Sequence, residues 1–340
     1  MACSGILDDI RTCLALRAPR RLPAFALSEE FDMRMAGMTY AEYRSDAKNI
    51  LRSQSEGIKR FGYDWACVYI DDSLEFEPLG VVSDGSETTP LSIRDFLPAS
   101  YATLRKLRIP KPARDGRLPI LLEALSRMRE AWGDEVVICG RAPAPFSAAT
   151  LLYGMTPPML RVHDEPQLIR DTAEYFIEQQ SAIARAQLEA GAHALWVGDC
   201  SASSRFISLD HYREFALEPA RALLSRIREA GGISFFYTAE QRVDYLRVMA
   251  GAGADVVSLP EEADLTQVKE AIGDKVCLMG NIDPIKVMWR GTPGAVAAHT
   301  RRIKEISRKG GHIFNTGEGL PQDTPEENVL TMMRVMRDAT

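Results

Sequence analysis

The chain has 340 residues, of which 46% are hydrophobic, and a formal net charge of −6. Without a basic block or an apolar run of the roughly 20 residues that span a bilayer, it fits neither a nucleic-acid-binding nor a membrane protein. Its six cysteines show no CxxC spacing, so neither a disulfide framework nor a zinc ribbon is predicted, and a reducing cytoplasm is the expected location.

The first 60 residues predict a helical, surface-rich extension. Apolar residues in 31–51 recur at helical spacing, and the stretch 65–70 (WACVYI) predicts the first buried strand. Residues 79–116 are irregular, with clusters of Gly, Pro and Ser. We interpret them as an excursion over one face of the fold, because no second core follows them. One domain spanning 1–340 is therefore expected.

Predicted strands and helices follow one another along the chain, and their alternation becomes regular from residue 208 onwards. Seven strands are predicted, each followed by a helix, and an eighth is expected in the irregular early part. The seven are 65–70, 135–140, 194–197, 233–237, 256–259, 276–280 and 312–316. Repeated βα units imply parallel strands, so the sequence predicts an α/β protein with a (β/α)8 TIM barrel; an open doubly wound sheet is the structural rival. The GAGAD stretch at 251–255 follows a helix and precedes a strand, the reverse of a dinucleotide-binding motif.

The stretch 312–329 (HIFNTGEGLPQDTPEENV) carries the strongest site prediction. Its strand ends in a Gly-Glu-Gly sequence that presents Glu318 between two residues free to take positive φ. Thr324, Pro325 and Glu327 then predict an N-cap, a first-turn proline and the glutamate of a capping box. Because ligands bind at the carboxyl ends of parallel strands, Glu318 is the first candidate for chemistry.

Other predicted strands also end in polar or aromatic residues that face the same barrel mouth. Asp72 and Asp199 are candidates for proton transfer, because one of several grouped carboxylates can hold a raised pKa. Each aspartate has the alternative of capping the turn that follows it. The candidates for substrate binding are Tyr237, Trp65, Asn281 and Cys139. Their alternatives are a place in the core for Tyr237 and Cys139 and a turn-stabilising role for Asn281.

Several segments together resemble the uroporphyrinogen decarboxylase superfamily. MRMAGMTYAEYRSD (33–46) is similar to the family's MRQAGRYLPEYR, and YIDDSLEFEPLG (69–80) is similar to its FSDIL segment. MGNIDP (279–284) and FNTGEGLPQDTPEENV (314–329) are similar to its closing blocks. The resemblance runs nearly end to end and implies a single TIM barrel.

Departures from the family pattern argue against decarboxylation of uroporphyrinogen. True decarboxylases carry two arginines in the first motif; Arg34 is similar to the first, but Met38 stands at the second position. Glu318 stands where they have a histidine, whereas Asp72 resembles the aspartate that contacts the pyrrole nitrogens. A polyanionic tetrapyrrole would lose one positive partner here and meet an additional negative charge.

The spacing is more similar to the superfamily's methyltransferases, which serve corrinoid (cobalamin) proteins. The thiol-methylating members bind zinc through His-x-Cys and a further Cys, at positions that are Phe236, Thr238 and Glu318 here. That zinc site is absent as such, so methylation of a coenzyme thiol is not expected. The sequence does not decide whether another metal binds, and Glu318 with His211 or Asp199 is a weak candidate for one.

The resemblance thus implies a cytoplasmic methyltransferase component. It would move a methyl group between a small methylated substrate, such as a methoxylated aromatic or another methyl ether, and a separate corrinoid protein. An alkoxide or phenoxide leaves poorly, so the ether oxygen needs to be protonated or bound to a metal. Glu318, Asp72 or Asp199 would supply the proton, and Arg34 would contact the substrate. The alternatives are a decarboxylase or lyase for another substrate and a non-catalytic corrinoid- or tetrapyrrole-binding module. The oligomeric state is left open, a homodimer included.

Overall fold

A computed structural model describes residues 5–338, and within them a parallel sheet curls around an apolar core. The described strands are β1 (Trp65–Cys67), β2 (Val82–Asp84), β3 (Ser92–Asp95), β4 (Val137–Pro143), β5 (Ala194–Gly198), β6 (Ile233–Tyr237), β7 (Val256–Ser258), β8 (Cys277–Met279) and β9 (His312–Ile313). Strands β2 and β3 form a separate antiparallel hairpin. The other seven pair side by side in chain order, all parallel, as the alternating βα pattern predicts.

Residues 24–27, which we name the closing segment, fill the gap between the first and last strands of this sheet. Ala24 forms a parallel bridge with Phe314, directly after β9. The Ala24 carbonyl accepts a hydrogen bond from the Asp64 N–H at 3.1 Å, directly before β1. Further along, the Leu27 N–H donates to Thr316 Oγ1 at 3.0 Å. The closing segment therefore takes the eighth position of the predicted TIM barrel.

The eighth position does not come from the irregular part in which the sequence placed it, and that detail of the prediction is wrong. The irregular part contributes the hairpin of β2 and β3, which pair only with each other. The closing segment has the sequence AFAL, lies next to Pro23 and leads directly into a helix. Four apolar residues without alternation are too few for periodicity to distinguish a strand from a buried turn.

Helices cover the outside of the ring and one of its ends. The described α-helices are α1 (Ile6–Leu14), α2 (Glu29–Met35), α3 (Tyr40–Ser45), α4 (Ala47–Phe61), α5 (Tyr101–Leu104), α6 (Leu118–Trp132), α7 (Pro145–Tyr153), α8 (Thr156–Asp164), α9 (Pro166–Glu189), α10 (Leu209–His211), α11 (Glu218–Glu229), α12 (Val243–Met249), α13 (Leu265–Ile272), α14 (Pro293–Ser307) and α15 (Glu326–Arg337). Wider π-helical turns occupy Tyr212–Leu217 and Pro284–Trp289. Between residues 5 and 338, no helix combines the length and the apolar character that a membrane crossing requires.

The last helix begins differently from its prediction. It starts at Glu326 with Pro325 in the cap position and no side-chain hydrogen bond, so the predicted capping box is wrong. The Thr324 N–H donates instead to the Pro321 carbonyl at 3.0 Å, and the Thr324 hydroxyl is buried without a partner. A local turn thus takes the residues that the motif assigned to the cap. A complete capping box does occur elsewhere, at Thr39 in front of α3.

Aromatic side chains fill the barrel below its mouth. Phe25 of the closing segment stacks on Trp65 with ring centroids 4.5 Å apart, and Phe235 meets both rings edge-on. Such pairs contribute about 0.5–1.5 kcal/mol beyond their buried area. Helix α1 closes the amino-terminal end, where the Cys13 thiol donates to the His312 carbonyl. A ligand is therefore expected to enter from the carboxyl ends of the strands, where TIM barrels carry their active sites.

Candidate active site

Glu318 and Tyr237 form the centre of the barrel mouth. Glu318 is exposed in the loop after β9, and Tyr237, the last residue of β6, is buried with its hydroxyl donating to Glu318 Oε1. Burial, followed by the charge of Glu318, raises the pKa of Tyr237, so its phenol remains a hydrogen-bond donor. The ring of Trp196, on β5, lies 5.4 Å from that of Tyr237 and extends the aromatic wall.

The loop that presents Glu318 is held by close packing and by the closing segment. A Cβ atom at Gly317 would lie 2.4 Å from the Glu261 backbone nitrogen, so only glycine fits there. Neither Gly317 nor Gly319 has a positive φ, which corrects the reason that the sequence suggested for these glycines. Leu27 contacts the loop on both sides of Glu318, because its N–H donates to Thr316 Oγ1 and its carbonyl accepts from Leu320.

A second group at the mouth is built around Arg141 on β4. Its Nη2 donates to Asp72 Oδ1 at 2.5 Å, and its guanidinium lies 4.0 Å above the Tyr69 ring. Both side chains of the ion pair are partly exposed, so Asp72 is at the mouth as predicted, with one oxygen engaged by Arg141. The neighbouring Asp71 is buried and pairs with Arg117 at 2.7 Å, a structural role.

Cys200 lies between these two groups. Close packing of protein atoms around the thiol, followed by the charge of Glu318, raises the pKa of Cys200 to about 12. Arg141 partly offsets that rise. A thiol with this pKa is protonated at neutral pH, and the thiolate is the nucleophilic form. Cys200 therefore offers the mouth a small neutral group.

Asp199 is fully buried behind the mouth. Its Oδ1 accepts a hydrogen bond from the Ser147 N–H at 3.0 Å, in the first turn of α7, while Oδ2 has no partner. Burial raises the pKa of Asp199 to about 7, and the hydrogen bonds from Ser147 lower it again in part. The geometry thus matches the capping alternative, although the helix that Asp199 caps follows β4 and not its own strand.

Three predicted substrate-binding residues make structural contacts within the protein. Trp65 is 1% exposed and its indole N–H donates to the Ala26 carbonyl at 2.8 Å. Cys139 is fully buried beside Cys67, its register partner on β1. The Asn281 amide donates to the carbonyls of Pro260 and Ala263, both at 2.8 Å, which is the turn-stabilising alternative.

Arg34 and His211 lie outside the centre. Arg34 is on the surface, where it donates to the Gln322 carbonyl at 2.8 Å and so fastens α2 to the loop after Glu318. Met38, at the position of the second family arginine, is buried in an apolar cluster. His211 packs against the rings of His163 and Phe215 in the helical layer.

The weak metal prediction gains no support from this arrangement. In the described residues, no three His, Cys, Asp or Glu side chains are grouped so that they could hold a metal ion. The positions of the thiol-activating zinc ligands carry Phe236, Thr238 and Glu318, and two of these three side chains are unsuited to zinc. The residues present do not fit that zinc site.

The sequence prediction missed Glu29 at this mouth. Glu29 opens α2 just after the closing segment and is partly exposed, and its carboxyl lies near the Cys67 thiol and the Arg141 guanidinium. Burial raises the pKa of Glu29 to about 7, and the thiol and the charge of Arg141 lower it in part. The strand-end rule that selected Glu318 would have found Glu29 if residues 24–27 had been recognised as the eighth position.

The fold and the site together define a TIM-barrel protein whose acid-rich mouth lies at the carboxyl ends of its strands, where this fold carries its active sites. The sequence profile of the family described as uroporphyrinogen decarboxylase (URO-D) matches residues 9–339, and the chain belongs to this family of enzymes.

Its relatives include both of the activities that the sequence motifs suggested. A uroporphyrinogen decarboxylase of Methylococcus capsulatus is 25% identical over 90% of this chain and 92% of its own length. The methylcobamide:CoM methyltransferase MtbA of Methanosarcina acetivorans is 22% identical over 94% and 93%. Among solved structures, a methyltransferase from Methanosarcina mazei superposes with a TM-score of 0.87 at 20% identity, covering 96% of each chain, which confirms the fold.

Proposed function

We propose that the protein is a methyltransferase component that moves a methyl group between a small methylated substrate, such as a methoxylated aromatic or another methyl ether, and a corrinoid carried by a partner protein. The observation that carries the proposal is the charge of the mouth. Glu318, Asp72 and Glu29 gather there, and the guanidinium of Arg141 is already paired with Asp72. A polyanionic substrate would meet repulsion in such a mouth, whereas a small neutral ether would not.

The residues of the mouth supply what ether cleavage requires. The rings of Trp196 and Tyr237 form an aromatic wall against which a methoxylated ring can stack. Because Glu318 accepts its hydrogen bond, the Tyr237 side chain has a fixed direction, and the pair orients the substrate through stacking on the ring and through the remaining acceptor oxygen of Glu318. The reduced corrinoid of the partner, docked over the open mouth, would supply the electron pair that forms the new bond to the methyl carbon. The C–O bond breaks with its electrons on the oxygen, which then takes up a proton.

Incubation of the purified protein with 2-methoxyphenol and chemically reduced cob(I)alamin tests the proposal. We expect methylcobalamin and catechol in equal amounts, measured by chromatography, and no methylcobalamin when phenol replaces 2-methoxyphenol. A panel of methoxylated benzoates and alkyl methyl ethers extends the assay to other donors. If no donor of the panel yields methylcobalamin at rates above those without protein, the proposed function is wrong.

A further inference from the structure

Among the acids of the mouth, Glu29 best combines two properties. Its side chain is partly exposed to a ligand, and its carboxyl group is not committed to a structural hydrogen bond. Glu29 follows the closing segment, so it stands at a strand end as Glu318 does. Leu27, two residues earlier, is hydrogen-bonded to both Thr316 and Leu320, which places the start of α2 beside the loop of Glu318. From the other side, Glu29 lies close enough to the Cys67 thiol, at the end of β1, for that group to lower its pKa.

The other acids of the region are engaged or enclosed. Glu318 accepts from Tyr237, and Asp72 accepts from Arg141. Asp199 is fully buried and caps α7, and Glu75 is only 5% exposed. Proton transfer from Glu318 or Asp72 would compete with the hydrogen bond that each already accepts.

Glu261 is the strongest competitor, because one of its carboxyl oxygens is buried without a partner near the Glu318 loop. The charges that face it are Glu262, Asp283 and Glu318, all negative. Loss of its proton would therefore place a fourth negative charge among three. Glu29 instead faces the Arg141 guanidinium and the Cys67 thiol, both of which stabilise the carboxylate that remains after the proton has left.

We infer that Glu29 is the residue that gives its proton to the leaving oxygen of the methyl donor, an inference that rests on the proposed function. In this step the methyl–oxygen bond breaks, the electron pair remains on oxygen, and the Glu29 proton converts that oxygen to a hydroxyl. The methyl group goes to the reduced corrinoid, which contributes the electron pair of the new bond. Solvent at the open mouth then restores the proton to Glu29, and Glu318 with Tyr237 positions the substrate.

The pH dependence follows from the groups around Glu29. The titratable and charged groups that act on it or are acted on by it are Cys67, Arg141, Glu30, Asp32, Tyr43 and Tyr63. Burial dominates and raises the pKa of Glu29 to about 7. A proton donor with this pKa is mostly protonated below about pH 7 and mostly deprotonated above it. Methyl transfer should therefore fall as the pH rises through about 7.

The test compares pH–rate profiles of methyl transfer from 2-methoxyphenol to cob(I)alamin in the wild type and in Glu29→Gln. We expect Glu29→Gln to lose about 10²–10⁴-fold in rate, and the fall above about pH 7 to disappear, because general acid catalysis contributes that factor. Glu305→Gln, at an exposed residue of the outer helix α14 that pairs with Arg308, is the matched control and should keep both the rate and the profile. Glu318→Gln should be slower but should keep the same fall at high pH.

A second variant keeps the inference testable if Glu29→Gln does not fold. Cys67→Ala removes the thiol that lowers the pKa of Glu29, so the fall in rate should move to higher pH, a shift that a merely structural role would not produce. An unchanged profile in Glu29→Gln, or loss of the pH-dependent fall in Glu261→Gln or Glu318→Gln instead, would overturn the inference. So would an unmoved profile in Cys67→Ala.

One readout separates failure of this inference from failure of the proposed function. Infrared difference spectra across neutral pH record protonated carboxyl groups without any substrate. A carboxyl band that is lost through about pH 7 in the wild type and is missing in Glu29→Gln supports the assignment even if methyl transfer is absent. Identical bands in the two proteins refute it even if the wild type transfers methyl groups.

Discussion

At the scale of single residues, the mouth separates acids that the sequence could not rank. Glu318 stood out because two glycines flank it, and the structure places it in the open mouth with Tyr237. Asp199 looked equivalent in sequence, but it caps α7, a helix more than fifty positions earlier in the chain. Burial and partners decide which carboxylate can act, and both depend on contacts distant in sequence.

The Glu318 carboxylate should matter for rate and not for stability. Glu318→Gln keeps the size of the side chain but weakens the charged acceptor that orients Tyr237, so methyl transfer to cob(I)alamin should fall by about 10²-fold, the typical cost of a substrate misplaced by about 1 Å. The melting temperature should hardly change, because the side chain is exposed. Tyr237→Phe, which removes the other half of the pair, is the companion variant and should lose a similar factor. Full activity in both variants would contradict the role of the pair.

Uroporphyrinogen should not be a substrate. Met38 is buried where true decarboxylases have a second arginine, and Glu318 adds negative charge where they have a histidine. Incubation under reducing, anaerobic conditions followed by porphyrin chromatography should therefore show no coproporphyrinogen. A uroporphyrinogen decarboxylase assayed in parallel is the positive control. Clear turnover by this protein would favour the decarboxylase alternative over methyl transfer.

At the scale of elements, the pattern of apolar residues predicted the seven paired strands, and tertiary contacts decided the rest. Helix α4 illustrates the limit, since Gly57 is a poor helix former in the middle of fifteen residues. Glycine is required at this position because of the neighbouring helix α2: a Cβ at Gly57 would lie 2.4 Å from the carboxyl group of the buried Asp32. The glycine lets the two helices approach, and no local pattern indicates such a contact.

Substitution of Gly57 by alanine should therefore destabilise the protein. Alanine favours the helix by about 1 kcal/mol, but overpacking against the Asp32 carboxyl costs about 1–3 kcal/mol. We expect a net loss of up to about 2 kcal/mol in urea unfolding. Gly251→Ala serves as the control, because nothing lies within 4 Å of a Cβ there and its φ is not positive. Equal stability of the Gly57 and Gly251 variants would show that α2 can move away from the added methyl group without loss of unfolding free energy.

At the scale of the whole molecule, Asp64 joins segments that are far apart in sequence. Its buried carboxylate accepts two hydrogen bonds from Arg21, at 2.8 and 2.7 Å, and one from the Ala24 N–H at 2.8 Å. Arg337 of α15 adds two more at 3.1 Å. One side chain before β1 thus joins the closing segment to the last helix, and no sequence pattern indicates this junction because the partners lie 43 and 273 residues away.

Asp64→Asn should weaken this junction measurably. Removal of one partner from a buried ion pair typically costs about 3–5 kcal/mol, and we expect about 3 kcal/mol because both arginines are partly exposed. Thermal and urea unfolding measure the loss. Asp8→Asn is the matched control, since its ion pair with Arg11 is exposed on both sides and should contribute little. A loss no larger than that of the control would mean that hydrogen bonds to the introduced amide replace those of the carboxylate.

The contacts of the closing segment form at different times during synthesis of the chain. Its contacts with Asp64 form across 40 residues, but its contact with Thr316 spans 289. Translation proceeds at about 5–20 residues per second, so roughly 15–60 s separate the emergence of the two partners from the ribosome. Throughout that interval the closing segment lacks its neighbour β9, and an unpaired strand edge invites association with other chains. A nascent chain of this protein therefore depends on protection, by its own helices or by chaperones, until its final strand has left the ribosome.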